Sequence, residues 1–178
     1  MTEGPAANAE DAVADDLLTP AFEYCFGLQV AVAEAIPLGC AVVGEGPHFA
    51  PITGGRVTGP ALIGQVLAGG GDWWVADGLT VRHDARYVIS VRDMSTTAAG
   101  SAASSAVEVV NRGIWRTDRA GLARLEAGLR PDETELYYRT AFTFRTEDSQ
   151  LRWLCESQFI GYARPVGGEV HIRVFRLV

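Results

Sequence analysis

Between residues 22 and 32 every second position is apolar: Phe22, Tyr24, Phe26, Leu28, Val30 and Val32. Side chains of a strand alternate between two faces, so this spacing predicts a strand with one buried face, which only a sheet can cover. Similar stretches recur at 79–92, 107–114, 136–146, 151–163 and 169–178, with a shorter run, ALIGQVLA, at 61–68. Prolines and glycines break residues 36–60 into turns and short strands, GGGDWW at 69–74 reads as a tight connection, and Gly167 with Gly168 separates the last two strands. One helix is expected: Thr117 or Asp118 can cap it, Leu122, Leu125 and Leu129 share a side, and Gly128 with Pro131 ends it. Seven to ten short strands and one short helix predict an all-β protein, as a sandwich or an antiparallel β-barrel. The barrel is favoured because closure removes exposed strand edges.

The first 20 residues contain five acids and no base, a composition that predicts a flexible acidic tail ahead of a single domain over 21–178. The whole chain carries a net charge of −7 from 22 acids and 15 bases, so residues 21–178 hold 17 acids against 15 bases, a net −2. This balance supplies no basic stripe for nucleic acid, and no apolar run reaches the roughly 20 residues that span a bilayer. All 15 bases are arginine; without lysine there is no Schiff-base chemistry and no covalently attached pyridoxal cofactor. Three widely spaced cysteines, Cys25, Cys40 and Cys155, and an N-terminus without an apolar signal segment predict free thiols in a reduced cytoplasm. His48, His83 and His171 lack paired metal-ligand spacing, and neither a nucleophile elbow nor a phosphate or dinucleotide loop occurs, so neither a metal nor a cofactor is expected.

Candidate chemistry sits on the strands. In HDARYVIS, 83–90, Asp84 and Arg86 share one side, opposite His83, Ala85, Tyr87 and Ile89. On one reading they belong to a solvated outer face. On the other they point inward, with Asp84 as acid or base and Arg86 binding a developing oxyanion. In YYRT, Tyr137 and Arg139 pose the same choice: an exposed pair, or a donor and an anion binder. Asn111, Trp73, Trp153 and Cys155 are candidates for the wall of a ligand pocket. The small-residue stretch at about 94–106 reads as an inserted loop that would cover a cavity mouth.

The segments PITGGRVTGPALIGQVLAGGGDWW, LTVRHDARYVIS, VVNRGIW, YYRTAFTFRT and LRWLCESQFIGYARP, in this order, resemble the domain-of-unknown-function 3237 family from about Phe22 to Leu177. The resemblance implies a small antiparallel β-barrel of lipocalin-like or allene-oxide-cyclase-like shape and, the family being unassigned, little about chemistry. Two departures stand out: Cys155 replaces the family's usual asparagine after Trp153 and Leu154, and the loop at 94–106 replaces a tight turn. These features together predict a cofactor-independent barrel enzyme acting on a hydrophobic, oxygenated, polyketide-like small molecule by cyclisation, isomerisation or dehydration. Asp84, Arg86, Tyr137 and Arg139 would be catalytic. The alternative is a non-catalytic carrier or sensor with the same pocket, and a third reading buries the outer face in a homodimer.

Overall fold

The computed structural model describes residues 19–39, 46–94, 104–129, 132 and 135–178. Residues 1–18 of the expected tail and 95–103 of the expected loop lie outside the described residues. Among the described residues ten strands form: β1 (Phe22–Val32), β2 (Ile36–Pro37), β3 (His48–Thr58), β4 (Leu62–Val66), β5 (Gly70–Asp77), β6 (Thr80–Asp93), β7 (Ser105–Thr117), β8 (Leu136–Arg145), β9 (Phe159–Val166) and β10 (Glu169–Leu177). Helix α1 (Arg119–Glu126) joins β7 to β8, and a 3-10 turn (Ser149–Leu154) joins β8 to β9.

The hydrogen-bonded order β1-β10-β9-β8-β7-β6-β4-β3 closes through a further β1–β3 pairing, so eight strands form a complete antiparallel barrel. β5 follows β4 in the same gap between β3 and β6, and β2 is a short edge addition to β3. Closure depends on one glycine. At Gly55 φ is +149°, and a Cβ there would lie 1.9 Å from the Gln29 carbonyl oxygen of β1, so only glycine lets the first and third strands approach.

The alternating faces produce this barrel with two adjustments. A bulge between Tyr24 and Phe26 buries both Cys25 and Phe26 and turns Phe22 and Tyr24 outward, so the period of two that marks β1 changes phase midway. Residues 151–158 are not strand: the 3-10 turn, capped by the Asp148 carboxylate accepting from the Gln150 N–H, drives Leu151 and Leu154 into the end of the barrel. GGGDWW is likewise strand β5 rather than a connection, the turn falling just before it. The helix forms as expected, with the Asp118 side chain accepting from the Gly121 N–H.

The interior is divided along its axis. Toward the 3-10 turn it is filled by Phe26, Ile89, Val91, Phe142, Phe144 and Phe159, all nearly inaccessible, with Phe144 meeting Phe26, Phe142 and Phe159 at ring separations of 6.0, 5.5 and 5.2 Å. This half is a plug. Toward the turns joining β5 to β6 and β9 to β10, inward positions become polar. The two described cysteines, Cys25 and Cys155, are free thiols, and among the described residues no helix is long and apolar enough to cross a membrane.

Candidate functional site

Inward side chains of β5, β6, β7 and β8 bring Asp72, His83, Tyr87, Asn111, Tyr138 and Thr140 together in the polar half of the barrel. A void of about 20 Å³ lies among most of them, bounded also by Val30, Ile52 and Ile172. His83, Asn111 and Thr140 are buried, at 7%, 3% and 4% exposure. His83 Nδ1 lies 3.5 Å from Asp72 Oδ1, and the Tyr138 ring stands edge-on to the imidazole at 5.3 Å. Opposite the imidazole is Gly113. A Cβ at this position would lie 2.5 Å from His83 Nε2, so the missing side chain leaves that nitrogen room.

The polar atoms here are unpartnered: Asp72 Oδ1, both His83 ring nitrogens, Tyr87 Oη, Asn111 Oδ1 and Thr140 Oγ1 are buried and make no hydrogen bond within the protein. An unmade bond at a buried polar group costs roughly 1–3 kcal/mol, so a chain that gathers several of them in one place gives up stability there. Folding alone does not require them. Burial pushes the phenols of Tyr87 and Tyr138 well above their ordinary pKa, with Asp72 adding to the effect, so both remain neutral O–H donors. The set therefore contains an imidazole beside a carboxylate, two phenol donors, an amide and a hydroxyl. Such groups can accept a proton, return it, and hold an oxygen on which negative charge develops.

Aromatic rings lie beside this cluster. Trp74 pairs with His83 across β5 and β6, and its ring stacks on His48 at 4.0 Å, 3° from parallel. Trp115 is half-buried on the same end of β7. These rings form an aromatic rim around a polar interior.

Most residues singled out in the sequence lie elsewhere. Asp84 and Arg86 are on the outer face, because His83, Ala85, Tyr87, Ile89 and Val91 continue the apolar alternation that fills the core. The inward Asp–Arg pair is thus corrected to a surface cluster: Arg86 Nε donates to Asp84 Oδ1 at 3.2 Å and Arg112 Nε to Asp84 Oδ2 at 2.8 Å. Tyr137 and Arg139 are also outward; the Arg139 guanidinium lies 5.2 Å from the Tyr137 ring and 3.8 Å from that of Tyr162. Trp73 is exposed and packs on Phe49 outside the barrel. Trp153 and Cys155 belong to the plugged end, where Trp153 packs on Phe159 and Cys155 is exposed. Only Asn111 of the expected set reaches the interior site.

His83, Tyr87, Tyr138 and Thr140 join the site without having been expected there, and the sequence carries a signal for them: each occupies the core parity of its strand while carrying a polar group. Asp72, expected to close a turn, is instead in β5 and faces His83.

The outward position of Asp84 sets an expectation. The hydrogen bond from Arg86 and, less strongly, that from Arg112 hold its carboxyl below the ordinary carboxylate range, against an opposing effect of burial. The pair's contribution is complete above the unfolded pKa of about 3.9 and is lost as pH falls through the depressed folded value. Because the three side chains are largely solvated, Asp84→Asn should cost no more than about 1 kcal/mol at neutral pH. The same variant should leave ligand binding unchanged, as paired denaturant and binding titrations would reveal.

Comparison with known proteins agrees with this architecture. A UPF0311 protein of Rhodopseudomonas palustris is 27% identical over 165 residues, covering 90% of this chain and 100% of that protein. The crystal structure of a protein of unknown function from Clostridium acetobutylicum superposes with a TM-score of 0.75 at 22% identity, over 92% of this chain and 100% of the other. A crystal structure described as an enzyme from Penicillium herquei gives 0.62 at 18% identity, over 91% and 97%. At these identities the two structures share the fold. Residues 20–177 match the family described as protein of unknown function (DUF3237), and the chain belongs to that family.

Proposed function

We propose that the barrel is a cofactor-independent enzyme that promotes cyclisation, isomerisation or dehydration of a hydrophobic, oxygenated small molecule such as a polyketide-like intermediate. The observation that carries this reading is the group of unpartnered polar atoms around the Asp72–His83 pair. His83 would take a proton from a carbon or hydroxyl adjacent to a carbonyl and return it at another position, or, in a dehydration, to the departing hydroxyl, which leaves as water, so no further reactant is consumed. Asp72 would orient the imidazole, while Tyr87, Tyr138 and Asn111 would bind the substrate oxygens. Supporting the choice of an enzyme, a protein described as one shares the barrel.

The void of about 20 Å³ is far smaller than the roughly 300–1,000 Å³ of a cavity that encloses a whole ligand. In this account only the reacting end of the substrate enters, and its body rests against Trp74, His48 and Trp115. A carrier needs to enclose most of its cargo, which makes the enzyme the better reading.

Tryptophan fluorescence tests the site. Titration with enolisable 1,3-dicarbonyls and polyphenols should give a saturable change from Trp74 and Trp115. Asn111→Leu should weaken the binding about tenfold, the equivalent of one buried hydrogen bond at roughly 1.4 kcal/mol. Equal affinity in the variant, or no saturation with any of these compounds, would remove the basis for the assignment.

A further inference from the structure

We propose that the acidic N-terminal segment, residues 1–18, docks in an arginine-rich groove on the outer wall of its own barrel. Two adjoining depressions, of about 570 and 650 Å³, run over the outer faces of β6 to β10 and β1, and share Arg139 and Tyr162 in their walls. Their lining includes five arginines, Arg82, Arg112, Arg139, Arg164 and Arg173, and no Asp or Glu. Arg112 engages Asp84, Arg139 Nη1 donates to the Tyr138 carbonyl oxygen at 3.0 Å, and Arg164 has an interaction of its own, so the groove offers its net positive charge rather than five unengaged guanidiniums.

Aromatic rings hold two of the guanidiniums in place. Arg139 lies 3.8 Å from the Tyr162 ring centre, and Arg173 lies 4.9 Å from that of Tyr24 and 5.2 Å from that of Phe175. A guanidinium stacked this way loses less freedom when its remaining N–H groups bind a carboxylate.

The chain supplies the complementary partner. Residues 1–18 carry Glu3, Glu10, Asp11, Asp15 and Asp16 and no base. They join the barrel at the groove's edge: Ala21 exchanges backbone hydrogen bonds with Val178, and Tyr24 packs its ring 5.6 Å from Phe175 in the groove wall. Eighteen residues reach up to about 60 Å when extended, ample for the outer face of a small barrel. A symmetric second copy is the poorer occupant, because an isologous contact would set one arginine-rich face against another.

The test uses the full chain and a variant of equal length, Glu3→Gln, Glu10→Gln, Asp11→Asn, Asp15→Asn, Asp16→Asn, whose changes all fall within residues 1–18. Amide and arginine side-chain NMR shifts of Arg139, Tyr162, Arg173 and Phe175 should differ between the two proteins at low salt. The difference should disappear at about 0.5 M salt, where the Debye length falls to about 4 Å. Identical groove shifts in the two proteins would overturn the proposal. Groove shifts that follow protein concentration and ignore tail charge would overturn it as well, and would assign the face to a second copy.

Discussion

Replacing His83 with glutamine is expected to lower turnover of a substrate identified by the fluorescence titration by about 10²–10⁴-fold, the usual contribution of a positioned acid or base. Glutamine keeps much of the volume and polarity of the imidazole but cannot cycle a proton near neutral pH. The loss should therefore appear in kcat, with KM changed much less. Asp72→Asn should give a smaller loss of the same kind, because the 3.5 Å contact to Nδ1 orients the ring. Turnover by His83→Gln within threefold of wild type would take His83 out of the chemistry.

The second large effect concerns stability. Phe144→Ala should destabilise the barrel by about 3–5 kcal/mol, because the ring is only 2% exposed and contacts three other phenylalanines in the plug. For a chain of this size that corresponds to a fall of very roughly 6–20 °C in Tm. Ligand affinity measured well below the transition should change less than stability does, since Phe144 lies four residues along β8 from Thr140, which is level with Gly113 and His83. A loss below about 1 kcal/mol would mean that the plugged half is loosely packed, contrary to the burial described.

The barrel was legible in the sequence because its strands follow the period of two and its helix carries an Asp118 cap and a terminal glycine. The exceptions have local causes. A bulge at Cys25 shifts the phase of β1 without any glycine or proline to mark it, and residues 151–154 look like strand by composition yet turn tightly after the Asp148 cap. The site was less legible for a different reason. Charge drew attention to Asp84, Arg86 and Arg139, but charged side chains on an alternating strand are solvated most cheaply on the outside. The informative positions were the polar residues in phase with Ile89, Val91, Phe142 and Phe144, namely His83, Tyr87, Tyr138 and Thr140. Asp72 could not be assigned to them from sequence, since GGGDWW reads as a turn and its strand pairing with β6 emerges only in the fold.

The central claim is that the polar interior exists to bind and act on a ligand, at a cost to stability. Tyr87→Phe tests it most directly, because the change removes one buried hydroxyl that has no partner and nearly preserves the shape of the ring. Unfolding and ligand titration of the same preparation should show a Tm no lower than that of wild type and a stability equal to or above it, by up to roughly 1 kcal/mol, together with weakened binding. A lower Tm with undiminished binding would contradict the account, since the hydroxyl would then be part of the fold's own support.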